Sequence, residues 1–296
     1  ISHIAIALCT LLPASIATAD IFRLTDSASD YLSFPERETG ALTGAEFIRN
    51  TNGMTLKQRE EKIMSELRSG NLPEHLRTMV PVHTKHYSHR LKRDVNATFY
   101  VMVDYLAIGS DDDFVRMPTN LHTARALANE FGFGLPTRKM VDVIYNQAIN
   151  KLKPNPLPPT RAMVGNGYFV KSHNLIEEQF GESNRGLLVA GHKKDVVITN
   201  KMLAKPSSIA IYGWHRTNGK AIQPLSTVHG ARYVDYSHGI RMVSRTIMVE
   251  GTRMDIADVL ANPDLCGLLS DEGVISQYDH LMRLKDGSQT TVAQSK

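Results

Sequence analysis

Cysteine is scarce, and its scarcity excludes two designs. Only Cys9 and Cys266 occur in 296 residues. A disulfide-stapled scaffold and a Cys-ligated zinc module are therefore both excluded. Tryptophan is represented once, by Trp214. Charge of one sign is also lacking: 34 Lys and Arg against 30 Asp and Glu give a net charge of +4. These charges are spread along the chain, and no motif favours a nucleic-acid partner. No apolar run reaches the roughly 20 residues needed for a transmembrane helix. There is no phosphate-cradling glycine loop, no dinucleotide fingerprint and no internal repeat. What is present is 42% hydrophobic and 22% charged, a composition that fits a globular chain long enough to bury a sizeable core.

The first nineteen residues carry no Lys, Arg, Asp or Glu. Their apolar run from Ile4 to Leu12 ends in Ala17-Thr18-Ala19, a small-x-small pattern that suits signal peptidase. Residues 1–19 thus read as a signal peptide, the alternative being a buried amino-terminal helix. The expected location is secreted or periplasmic, with Cys266 the one cysteine left after processing.

Residues 20–53, rich in Ser, Thr, Gly and Asp, read as a loosely structured segment. Residues 54–153 read as a helical region with a two-stranded element. Thr55 caps a helix with apolar residues Leu56, Ile63, Met64 and Leu67; a second short helix follows Pro73. Ala97 to Ile108 reads as a buried strand, and Gly109 to Asp113 as a turn returning through Phe114–Met117. Helices are expected from Thr119 to Phe131 and after the cap Thr137. The run Lys153-Pro-Asn-Pro-Leu-Pro-Pro159 must be extended. It is either a domain boundary or a surface connection. Residues 160–296 read as mostly β: strands at Leu187–Ala190, Val196–Thr199, Ser208–Tyr212, Tyr233–Tyr236 and Ile240–Val249, with a hairpin at Asn218-Gly219 and a helix near Asp255. The fold class is α+β, with amino-terminal helices followed by a mixed or antiparallel sheet.

The densest polar cluster lies in Tyr212-Gly-Trp-His215 and in Val228 to Arg241. His215, His229, Asp235, Ser237 and His238 are the candidate catalytic residues; Trp214, Tyr233, Arg241 and Lys194 are the candidate substrate-binding ones. On a strand, Tyr233, Asp235 and Ser237 would share one face and Val234, Tyr236 and His238 the other. Polar groups so close to a β core need partners or a pocket. The bland reading of the same residues is a satisfied hydrogen-bond network at a sheet edge.

Ile211-Tyr-Gly-Trp-His215 followed by Ser237-His-Gly-Ile-Arg-Met242 resembles the L,D-transpeptidase pattern of a strand ending in Gly-x-His and a downstream Ser-His-Gly-Cys-Ile-Arg. The nucleophilic Cys of that pattern is missing, because Gly239 is followed directly by Ile240. The resemblance therefore implies a peptidoglycan-related context and not the transpeptidase reaction. Tyr233 to Arg241 and Asp104 to Arg116 are also similar to an uncharacterised family of secreted bacterial proteins.

Three chemistries fit these residues. In the first, His229 and Asp235, completed by His215, His238 or His280, bind a divalent metal such as zinc that activates water. In the second, Ser237 is the nucleophile of an esterase. In the third, His215, His229 or His238 performs metal-free acid–base work, with Lys194, Asp195, Asp104 and Tyr233 as auxiliaries. The leading expectation is an exported hydrolase acting on an envelope or extracellular polymer, peptidoglycan first. The rival is a non-catalytic glycan-binding protein. Among weaker features, Gly109 to Asp113 is read as a solvated turn rather than a calcium loop. His83, His86 and His89 are read as solvated surface, and Arg138 or Lys139 as a contact for an anionic substrate.

Overall fold

The computed structural model describes residues 34–283; the leader read at 1–19 and the polar tail after Asp286 lie outside them. The first elements are α1 (Gly44–Asn50), α2 (Leu56–Arg68), β1 (Met79–Ser88) and β2 (Arg93–Met102). Next come β3 (Ala107–Gly109), β4 (Phe114–Arg116), α3 (Leu121–Glu130), β5 (Phe133–Gly134), α4 (Arg138–Gln147) and β6 (Asn150–Lys151). Beyond the proline-rich run lie α5 (Asn166–Phe180), β7 (Val189–Ala190), β8 (Lys194–Val196), α6 (Lys201–Ala204), β9 (Ile211–His215) and β10 (Ala221–Ser226). The last described elements are β11 (His238–Gly239), β12 (Val243–Val249), β13 (Thr252–Asp255), α7 (Ile256–Ala261) and α8 (Tyr278–Met282). The fold is α+β.

One sheet runs β1-β2-β12-β13, with β5 added beside β12, and all its pairs are antiparallel. A second runs β10-β9-β8-β11, where β11 lies parallel to β8. Strands from both sides of the proline-rich run share the first sheet, and one core collects side chains from Phe34 to Met282. Among the described residues no helix is long and apolar enough to cross a membrane.

Local sequence explains the elements that match expectation. Thr55 and Thr137 accept hydrogen bonds from Gln58 and Met140 backbone N–H groups, and Asp255 does the same for Ala257 at the start of α7. These bonds satisfy donors that a helix start leaves open.

Several expectations are corrected. Part of the 20–53 segment is ordered: Thr43 and Glu46 form a capping box on α1, and Phe47 is fully buried. The strand read over Ala97–Ile108 breaks after Met102, because Asp104 accepts the Tyr105 N–H at 2.7 Å and turns the chain into β3. The reading of His83 and His89 as solvated surface stands, both being exposed, with His83 and His86 on β1 of a long hairpin with β2. The region read as mostly β contains the fifteen-residue helix α5. Finally, Tyr233–Tyr236 is not a strand. The Tyr233 N–H donates to the Gly230 carbonyl at 2.9 Å, and Asp235 accepts from the Ser237 N–H at 2.7 Å. These local bonds displace a sheet ladder.

Candidate functional site

The short strand β8 organises the polar residues, because β9 pairs on one side of it and β11 on the other. Lys194 stands opposite Gly213 and His238, and Asp195 opposite Tyr212 and Gly239. Simple alternation would send His215 and His238 to the same face as Lys194. It fails at Trp214, whose φ of 58° is left-handed, a conformation a bulky residue adopts only under constraint. Three neighbourhoods result.

In the first, Trp214 and Lys194 meet, with the Lys194 ammonium 4.7 Å from the Trp214 ring centroid. Beside them, the Asp235 Oδ1 accepts the Ser237 hydroxyl at 2.5 Å, and its Oδ2 accepts the Tyr233 hydroxyl at 2.9 Å. His238 Nε2 is 4.0 Å from Asp235 Oδ2, too far for a hydrogen bond, and both His238 ring nitrogens are buried without a partner. Burial lowers the His238 imidazole to about 4, against the pull of Asp235, so the ring is neutral at pH 7. Burial would raise Asp235, but His238 and the Ser237 bonds outweigh it and hold the carboxyl below its usual value. The outer wall is aromatic. His229, exposed, stacks on Tyr233 at 4.1 Å, and Tyr233 meets His238 edge-on at 5.7 Å.

The second neighbourhood holds His215. Its Nε2 lies 2.9 Å from Asp142 Oδ1 on α4, and its ring stacks on Tyr145 at 4.5 Å. Tyr105 donates to Asp195 at 2.8 Å, and Arg241 lies over the Tyr105 ring at 4.4 Å while donating to the Met102 and Val189 carbonyls. Burial pushes the Asp195 carboxyl up to about 6, although Arg241 opposes it.

The third was missed in the sequence apart from Asp104. Arg116 on β4 bridges Asp104 and Glu177 of α5, and His192 reaches the other oxygen of Asp104 at 3.1 Å. Lys193 is fully buried and has no carboxylate partner among the described residues; its ammonium donates to Ser172 at 3.0 Å and to the Tyr236 carbonyl. Burial, with Arg116 adding to it, lowers Lys193 to about 7. The signal available for this group was the adjacent pair His192-Lys193 at the mouth of a strand.

The structure therefore brings Asp235, Ser237, His238, Tyr233, His229, Lys194 and Trp214 together, and sets His215 and Arg241 among other partners. His280 lies on α8, outside these groups. The zinc expectation does not fit this geometry. His229 is committed to Tyr233 and Asp235 to Ser237 and Tyr233, and among the described residues no three His, Cys, Asp or Glu side chains are grouped to hold a metal ion. Cys266 sits in a turn packed on β1 and α7, so it does not replace the absent nucleophile. No family model matches the chain, and neither a curated protein nor a solved structure matches it.

Proposed function

We propose that the protein is a hydrolase of an envelope or extracellular polymer, with peptidoglycan as the first candidate substrate, and that it works by metal-free acid–base chemistry at His238. The observation that carries this reading is the His238 imidazole itself: buried, neutral, without a hydrogen-bond partner on either nitrogen, and set beside Asp235. A buried polar group left unsatisfied calls for a reason, and unusual titration and backbone strain, here at Trp214, both cluster at functional sites.

In this reading, His238 takes a proton from a water molecule as the water oxygen attacks the scissile amide carbon. Asp235 stabilises the imidazolium that forms, and the Lys194 ammonium gives a proton to the departing amine. A water O–H bond, the amide C–N bond and a Lys194 N–H bond break, while a C–O bond, the amine N–H and the imidazolium N–H form. The His238 proton then passes through solvent to the Lys194 amine, which restores both groups. Tyr233 and His229 form the wall that substrate must displace to reach His238. The expected leader and the transpeptidase-like residues around Ser237 support an exported, wall-directed role.

The test is digestion of purified cell-wall sacculi with and without chelator. Wild type is expected to release fragments in both conditions, while His238→Ala and Asp235→Asn lower the rate at least ~100-fold, the scale of a lost general base. No fragments from wild type would overturn the proposal.

A second reading, a glycan-binding protein without turnover, is favoured by the stacked pair His229 and Tyr233 on the outer wall; Trp214, under Lys194, is buried behind it. It predicts retention on insoluble wall material that survives His229→Ala and His238→Ala, with nothing released. The esterase reading has less support, since the Ser237 hydroxyl is buried and bonded to a carboxylate rather than to an imidazole. Absence of labelling by an organophosphonate probe would remove it.

A further inference from the structure

A cavity of about 600 Å³ is lined by residues of α3, α6 and α8 and by Gly230–Arg232, the loop that joins His229 to Tyr233. Its volume suits a small molecule. Three arginines line it, Arg125, Arg232 and Arg283, with no Asp or Glu. Part of the wall is apolar, from Met202, Leu203, Pro206 and Leu281.

Arg125 is the informative residue. It is 6% exposed, its Nε is buried without a partner, and no hydrogen bond or ion pair ties its side chain to any described residue. Elsewhere in this fold a buried arginine is anchored: Arg116 by two carboxylates, Arg241 by two backbone carbonyls. Burial lowers the Arg125 guanidinium to about 10, with no neighbouring charge to offset it. An isolated buried cation is costly, so one facing a cavity with no partner among the described residues calls for an anion from outside them. Guanidinium groups match carboxylate and phosphate oxygens through paired N–H donors.

We infer that this cavity is a binding site for a small organic oxyanion, a carboxylate or phosphate head on an apolar body, with Arg125 gripping the head and Met202, Leu203 and Leu281 packing the body. Arg232 and Arg283, both exposed at the rim, add attraction. The inference goes beyond the hydrolase reading and stands without it.

The probes are octanoate, octyl phosphate, octanol and inorganic phosphate, titrated into the full chain by calorimetry. Octanoate or octyl phosphate is expected to bind at least tenfold more tightly than octanol and than inorganic phosphate. The tighter of the two identifies the head group. Arg125→Met should weaken that binding at least tenfold and raise the melting temperature, because it removes an unpaired buried charge. Arg125→Lys, which keeps the charge but loses the planar fork, should fall between the two. Equal affinity for octanol and octanoate, or equal binding by wild type and Arg125→Met, would overturn the inference. So would a lowered melting temperature in Arg125→Met with binding unchanged, since that result makes Arg125 structural.

Discussion

Arg116 donates to a single oxygen of Asp104 through both Nε and Nη2, at 2.9 and 2.6 Å, and both side chains are almost fully buried. The other Asp104 oxygen accepts the Tyr105 N–H and meets His192, so this carboxylate ties β3, β4 and the approach to β8 together. Burial alone would raise the carboxyl, yet Arg116 and His192 hold it well below the usual value. Asp104→Asn leaves Arg116 short of a counter-charge in a buried site and is expected to cost about 3–5 kcal/mol, read from the urea midpoint. A loss under about 1 kcal/mol would show that Glu177 alone suffices for Arg116.

Stability should depend on pH through the buried imidazoles. Burial lowers His173 to about 3 and His192 and His238 to about 4. Unfolded histidine binds a proton near pH 6.5. Between about 6.5 and 4 the unfolded chain therefore binds protons that the folded chain refuses, and stability falls as pH is lowered through that window. Asp195, raised to about 6, acts in the opposite sense, since the folded state keeps a proton that the unfolded carboxyl releases. Three imidazoles against one carboxyl leave about two protons taken up on unfolding near pH 5, or roughly 2–3 kcal/mol per pH unit. Urea midpoints at successive pH values measure the slope, and His192→Phe should reduce it by about one proton. A flat profile would contradict this account.

Gly239 has no room for a side chain. A Cβ there would stand 2.6 Å from Tyr105 Cδ1 and 2.8 Å from Lys193 Cβ. The tyrosine is held by its bond to Asp195 and the lysine Cβ is fixed to the buried backbone just before β8, so neither yields easily. Gly239→Ala is expected to cost about 1–3 kcal/mol. A melting temperature equal to wild type would show that the ring can move aside.

Two threonine caps offer an internal comparison. Thr55 is exposed and bonds only within its own capping box on α2. Thr137 is buried, caps α4, and also donates its hydroxyl to the Leu269 carbonyl. Thr55→Ala should lose about 1 kcal/mol or less. Thr137→Ala should lose about 2 kcal/mol or more, since it also orphans a buried acceptor. Equal losses would show that the Leu269 bond contributes nothing.

Legibility in the sequence followed the range of the interactions. The caps at Thr55 and Thr137, the helix start near Asp255 and the turn after Gly109 were readable because each is settled within a few residues. Helix α5 carried a readable pattern in Phe169, Ile176 and Phe180, all buried on one face. It begins without a side-chain cap just after the prolines, and that start concealed it. At the candidate site, the gathering of Trp214, Asp235, Ser237 and His238 was visible as polar density. The separation of His215 from His238 was not, because it depends on the left-handed backbone at Trp214. The Arg116–Glu177 pair joins positions 61 apart, which no local rule could connect.

The partner of β2 on its inner side is β12, with Phe99 facing Ile247 and Val101 facing Val243. Nothing nearer in the chain fills that place. During synthesis the β1–β2 ribbon must therefore wait, one flank open, until residues 243–249 have left the ribosome. An unpaired ribbon edge is a template for other chains, and contacts this distant close slowly. Chaperone occupancy on nascent chains should consequently persist until this segment emerges, and fragments ending before Val243 should aggregate rather than fold.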